Sequence, residues 1–218
     1  MRIASSTARP LRFAVTAAAI AGAALVAPAG AAPSRMKPGV FLYASPTLGD
    51  RNFVEAVVLL VHHGVEGSMG LVINRPTRVP LSEAVTELGE RRMPQLRLHR
   101  GGPVEPESMV ALVRSVKRLA GARQVLPDVY FSTELGQWKA VTLEPDAESR
   151  LRVYAGYAGW SPGQLAEEVR RDLWVVGPAD AGSVFSADPS AVWPRVHQLM
   201  RRLEARGEQP GVIGFSPR

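Results

Sequence analysis

Gly159-Trp160-Ser161-Pro162-Gly163 spells G-x-S-x-G, the arrangement in which a serine on a sharp strand-to-helix turn serves as the nucleophile of an α/β hydrolase. Asp180 or Asp188 followed by His197 would supply acid and base in the matching chain order. Residue 162 argues against that chemistry. The oxyanion hole at such an elbow uses the backbone N–H of the residue after the nucleophile, and proline has none. The hairpin-rich N-terminal half also offers no strand and loop for the second donor. Ser161 is better placed as a helix N-cap, with Pro162 at the first helical position. Gln164 follows three residues on, where its side chain can return to the Ser161 backbone N–H as a capping box. No catalytic residue is assigned, a serine hydrolase is the remote alternative, and the chain is expected to be non-enzymatic.

Two further motifs carry groups suited to an anion. Asn74-Arg75-Pro76 offers an amide and a guanidinium, and Gly101-Gly102-Pro103 offers backbone N–H groups that a small oxyanion or a carboxylate can use. The same residues also serve as ordinary turn chemistry, and that is their commoner use. Neither is a P-loop, since no Gly-Lys-Ser/Thr follows. Gly156, Gly159 and Gly163 set Tyr157 and Trp160 on a stretch where backbone can pass closely, which reads as a packed corner. Asn74, Arg75, Gly101, Gly102, Tyr157, Trp160 and Gln164 therefore form the candidate binding surface, with the Tyr157/Trp160/Gln164 corner expected to face the Asn74 and Gly101 turns. His62-His63 is the only histidine cluster. Adjacent strand residues point to opposite faces, so the pair is not expected to chelate one ion, and neither metal nor cofactor is assigned.

These groups must be positioned by a mixed set of elements. Val40 to Ala44 reads as a strand, and Phe53 to His62 as a long buried one. A Gly64–Gly67 loop of hairpin length leads to a strand from Met69 to Asn74, ended by Pro76. Leu81, Ala84, Val85 and Leu88 mark a short amphipathic helix running to Gly89. Leu96–His99, Met109–Val113 and Val129–Phe131 are further strands, with a basic turn around Lys117 to Arg123. Thr133 is placed to cap a helix over Leu135–Lys139. Leu151–Tyr157 and Leu173–Val176 flank the helix after Ser161, whose inward residues would be Leu165 and Val169, as a crossover unit on one sheet. Val192, Val196, Leu199, Met200 and Leu203 predict a final helix starting near Ala191. Hairpins first and helices later argue for an α+β fold.

The chain also resembles the YqgE/AlgH family, bacterial proteins of poorly defined function. The resemblance runs from about Gly39 to about Leu199 and rests on Gly39–Pro46, Phe53–Leu60, Gly67–Pro76, Gly101–Val104, Gly156–Leu165 and Trp174. It implies a bent, partly barrel-like mixed sheet of mostly antiparallel strands surrounded by helices. Part of the family carries a transcriptional-regulator name linked to alginate production.

The 218 residues suit one domain, with 46% hydrophobic and 21% charged residues. Arg2, Arg9 and Arg12, an apolar run from Phe13 to Ala27 and Ala29-Gly30-Ala31 have the tripartite form of a secretory signal peptide. The expected organisation is a removed segment 1–31, a short linker 32–38, one domain over 39–206 and a tail 207–218. Losing those three arginines takes the formal charge from +6 to 6 − 3 = +3, which gives no case for nucleic-acid binding. Arg195, Arg201, Arg202 and Arg206 are interleaved with Glu204 and Glu208, as on a solvated helix face. The absence of cysteine removes disulfides and thiolate chemistry. The expectation is an exported, periplasmic protein with no membrane span after cleavage and a protein or small anion as partner. The alternative is a cytoplasmic regulator of the alginate type, whose N-terminal segment is either retained or the product of a wrongly assigned start upstream of Met36.

Overall fold

The structure is a computed structural model, and it describes residues 36–88 and 96–205. The expected signal segment, the helix end at Gly89 and the tail 207–218 lie outside the described residues, as do the side chains of Leu199, Met200 and Leu203.

Ten strands form one open sheet: β1 (Val40–Ala44), β2 (Val57–Gly64), β3 (Gly67–Val72), β4 (Pro76–Pro80), β5 (Arg97–Arg100), β6 (Val104–Arg114), β7 (Arg123–Leu126), β8 (Val129–Ser132), β9 (Leu151–Trp160) and β10 (Trp174–Pro178). The main path runs β10-β1-β2-β3-β9-β6-β8-β7, with β5 branching from β9 and β4 pairing β5. Every pairing is antiparallel except β5 with β9. The helices are α1 (Leu81–Ala84), α2 (Leu135–Thr142), α3 (Gln164–Arg170), α4 (Ala181–Val184) and α5 (Val192–Ala205). The fold is α+β, and its sheet is not closed.

Three apolar clusters make up the core around the sheet. Alternate residues of β1 and β2 divide between two faces: Phe41, Tyr43, Val57 and Leu59 enter one cluster, and Leu42, Ala44, Val58 and Leu60 another. The first cluster also takes Val110 and Leu112 of β6 and Val192, Trp193 and Val196 of α5, so both halves of the sheet wrap around it. The second is covered by α3 through Leu165, with Trp160 and Trp174. The third lies under α1 and α2, around Leu81 and Trp138. β9 contributes to all three, through Tyr154, Trp160 and Val153 respectively.

Several boundaries differ from the sequence expectation. Arg51–Phe53 is a 3-10 turn whose Asp50 side chain accepts from the Asn52 N–H, and β2 begins only at Val57. Pro76 opens strand β4 where it was expected to stop one; β4 is paired only by β5, and an edge strand tolerates prolines at its ends. β7 occupies part of the expected basic turn. The α1 helix ends at Ala84 and continues as a 3-10 turn over Thr86–Leu88. Glu134, not Thr133, holds the cap position of α2. Met36, within the stretch assigned to the linker, is buried in the second cluster, while Lys37 and Pro38 after it are exposed.

The expected corner spans Gly156–Leu165, and its first half is strand. β9 runs on to Trp160, and Gly156, at φ +69°, is the point where its register with β6 shifts. The corner itself is Ser161-Pro162-Gly163-Gln164. Gly163 sits at φ 77°, ψ −16° and the Gln164 N–H donates to the Ser161 carbonyl at 3.0 Å, the geometry of a type II turn with proline and glycine in their favoured places. Helix α3 therefore starts at Gln164, and Ser161 is not its side-chain cap. The return bond of the capping box is nevertheless present: Gln164 Oε1 accepts from the Ser161 N–H at 3.0 Å. β9 and β10 run the same way with β3, β2 and β1 between them, so α3 lies in a long crossover over the second cluster.

Candidate functional site

β5 and β6 flank β9 on opposite sides, and the chain between them passes over β9 through Gly101-Gly102-Pro103. The crossing has no room for side chains. A Cβ on Gly101 would stand 2.2 Å from the Gly156 carbonyl oxygen, and one on Gly102 would stand 2.1 Å from the Tyr157 carbonyl carbon. Gly101 donates its N–H to Ala155 and accepts from the Val72 N–H, both at 2.8 Å. It thus fills the gap where β9 exchanges β5 for β3 as its neighbour. The Arg100 N–H donates to the Arg75 carbonyl at 2.9 Å, which ties the turn after β3 to the end of β5.

Beside the crossing lies a cleft of about 830 Å³ bounded by residues 51–54, 72–78 and 98–106. Its wall is set by Asn74, which is buried. The Asn74 Oδ1 accepts from the Val57 N–H at 2.9 Å, and Nδ2 donates to the Glu55 carbonyl at 2.8 Å. Arg75 donates from its guanidinium to the Val54 carbonyl. Together these bonds fix the strained turn ahead of β2, where Glu55 has φ 54°.

The cleft is lined by Arg51, Arg75, Arg78 and Arg100, with Val54, Leu98, Pro103 and Pro106 among the apolar contributors and no acidic residue. Elsewhere arginines meet carboxylates, as in Arg114–Asp128, Arg150–Asp146 and Arg170–Glu167. None of the four cleft arginines has a carboxylate partner among the described residues. Chemically this is a cationic recess with planar, forked donors, suited to oxyanions.

The candidate surface divides into two parts. Arg75 and Gly102 line the cleft, with Asn74 and Gly101 buried directly behind them. Tyr157 meets Gly102 only through its backbone; its phenol donates to Glu105 Oε1 at 3.2 Å, and burial followed by the nearby Glu105 charge push it up to about 12. Trp160 and Gln164 belong to a separate knot around Glu168. The Glu168 carboxylate accepts from the indole N–H groups of Trp160 (2.9 Å) and Trp174 (2.8 Å) and from the Gln164 amide (2.9 Å). Phe53 stacks on Trp160 and meets Trp174 edge-on. This knot pins α3 between β9 and β10.

A family model described as AlgH-like matches residues 41–204. The chain belongs to the AlgH-like family. It is 33% identical over 187 residues to a UPF0301 protein of Chlorobium luteolum, covering 84% of this chain and 93% of that one. A UPF0301 protein of Myxococcus xanthus is 37% identical over 181 residues, covering 82% and 94%. Among solved structures, the AlgH protein of Pseudomonas aeruginosa superposes with a TM-score of 0.64 at 28% identity, covering 86% of this chain and all of that one (100%). A Corynebacterium diphtheriae protein gives 0.60 at 25% identity, covering 76% and 86%.

In this AlgH-like chain the G-x-S-x-G serine has no hydroxyl hydrogen bond among the described residues, and the histidines are engaged elsewhere. His62 Nε2 lies 2.6 Å from Glu66 Oε1 and its Nδ1 is 2.7 Å from an Arg123 guanidinium nitrogen. His63 Nδ1 lies 2.7 Å from the Ser68 hydroxyl. His197 stacks on Trp193. Among the described residues no group of three His, Asp or Glu side chains is arranged to hold a metal. His99 is buried beside Tyr154 and is pushed down to about 4, first by desolvation and then by the Arg152 charge.

Sequence reasoning singled out Arg75 and Gly102 but missed Arg51, Arg78, Arg100 and Glu168. The arginines become neighbours only where the turn ahead of β2, which carries Arg51, meets the β3–β4–β5 path, which carries the others. The signal that was available is Arg100 immediately before Gly101-Gly102.

Proposed function

We propose that this AlgH-like chain is an exported, non-enzymatic binding protein whose ligand is an anion held in the cleft between Arg75 and Gly102. One observation carries the reading: four arginines, Arg51, Arg75, Arg78 and Arg100, line one recess without a lining carboxylate. The glycine crossing and the Asn74 bonds support it, because they hold the recess in shape before any ligand arrives and so reduce the ordering cost of binding. Export rests on the pattern Arg2, Arg9 and Arg12, Phe13–Ala27 and Ala29-Gly30-Ala31.

The binding half is tested by titrating the ¹⁵N-labelled mature protein with inorganic sulfate. Saturable shifts concentrated on the amides of Arg75, Thr77, Arg100 and Gly102 are expected. Shifts absent there, or spread evenly over the surface, overturn it. The export half is tested by N-terminal sequencing of the protein from fractionated cells. A start near Ala32 in the periplasmic fraction is expected, and an intact Met1 chain in the cytosol would restore the cytoplasmic regulator.

A further inference from the structure

Resting on the reading of the cleft as an anion site, we infer that its ligand is a small aliphatic polyanion, bearing two or more carboxylate or phosphate groups on a saturated scaffold. Three observations set that class.

The first is charge. Arg51 stands on the turn ahead of β2, Arg75 on the turn after β3, Arg78 within β4 and Arg100 at the end of β5. One anionic group can be gripped by one or two forks, which leaves the other arginines of the lining without a counter-charge. Like charges gathered at one recess repel one another. A second and third oxyanion on the same molecule convert those repulsions into charge-assisted hydrogen bonds.

The second is the wall. Val54, Leu98, Pro103 and Pro106 present saturated carbon, and no aromatic ring is among the lining residues. A nucleobase therefore finds no ring to stack on, although stacking is the usual source of affinity for free bases. A saturated scaffold matches what is there.

The third is the strand beside the cleft. β4 would be the place for a peptide to add as an extra strand, but Pro76 and Pro80 carry no N–H and the Val79 N–H is taken by Thr77 Oγ1 at 3.1 Å. An edge so depleted of donors resists strand addition. Recognition falls to side chains, and so to a small molecule.

The test is calorimetry on the mature chain with tricarballylate, pyrophosphate, butyrate, methyl phosphate, adenosine diphosphate and a hexaglutamate peptide. Tricarballylate or pyrophosphate is expected to bind at least tenfold tighter than its counterpart with a single anionic group, butyrate or methyl phosphate; which of the two wins tells carboxylate from phosphate. Adenosine diphosphate is expected to bind no tighter than pyrophosphate. The exposed variants Arg78→Gln and Arg100→Gln, checked for fold by circular dichroism, should each weaken the polyanion by fivefold or more. Butyrate or methyl phosphate binding as tightly as the polyanions overturns the inference while the anion site stands. So does a tenfold preference for adenosine diphosphate over pyrophosphate, or for the peptide over both polyanions. If none of the six binds, the anion site itself fails.

Discussion

Gly102 lies across Gly156 so closely that a Cβ on Gly156 would come within 2.6 Å of the Gly102 carbonyl oxygen. Both have positive φ, +157° and +69°, so neither tolerates a side chain on space or on backbone geometry. Gly102→Ala is expected to destabilise the protein by about 3 kcal/mol or more, since the new methyl meets backbone that cannot rotate away. Gly163→Ala is the control. It shares the positive φ, at +77°, but nothing lies within 4 Å of its would-be Cβ, so a loss of only about 1 kcal/mol is expected. Thermal melts of the two variants should differ by several degrees.

Glu168 gathers three donors from two strands and its own helix. Glu168→Ala strands the Trp160 and Trp174 indole N–H groups in partly buried surroundings and should cost about 2 kcal/mol, with a change in tryptophan emission. Glu168→Gln keeps one acceptor oxygen and should recover part of the loss. Urea unfolding followed by fluorescence reads both.

Asn74 bridges the β2 start and the Glu55 carbonyl from a buried position. Asn74→Ala leaves the Val57 N–H without its acceptor and should lower stability by about 2 kcal/mol. Because Val54 and Arg75 flank the same turn, the variant should also weaken sulfate binding. Arg75→Gln should weaken binding with much less loss of stability.

His99 gives a pH signature of known sign. In the folded chain its pKa is about 4, and in the unfolded chain it returns to 6.5. Between those values the unfolded state binds the extra proton, so stability is fully present above pH 6.5 and is lost as the pH falls through 4. At pH 4.5 the loss is roughly 2–3 kcal/mol. Urea midpoints at pH 7.5 and 4.5 should differ by that much more in the wild type than in His99→Gln; an equal difference in both would show that His99 carries none of it.

Ser161→Ala should leave stability within about 0.5 kcal/mol, because the hydroxyl makes no hydrogen bond among the described residues and the backbone N–H still reaches Gln164. Any hydrolysis of simple esters by the purified protein should also be unchanged. A loss of ester hydrolysis in the variant would reinstate the serine as a nucleophile.

The parts of this fold legible in the sequence are those whose signals are local. β1, the β2–β3 hairpin, β5, β8, β10 and α5 follow from apolar runs and glycine or proline punctuation at their ends. β4 was hidden because its prolines read as breakers, and their tolerance depends on the edge position, which only the sheet reveals. The Gly156 stretch was misjudged for a related reason. Three glycines beside two rings resemble a bend, yet the space they clear is for a second backbone crossing above a strand that stays extended. Asn74-Arg75 and Gly101-Gly102 were readable as groups suited to an anion, with turn chemistry as their commoner use. What was not readable is that Asn74 and Gly101 face inward as supports, and that Arg51 and Arg100 join Arg75 and Arg78 from elements remote in sequence.

β9 is the common neighbour of β3, β5 and β6, and all three precede it by many residues. During translation those strands emerge with no mate for the edge that β9 will later occupy, and the Gly101-Gly102 bridge has nothing to lie upon. Pairings so distant along the chain also close slowly. The centre of the sheet is therefore completed last, by the strand that comes latest of the four.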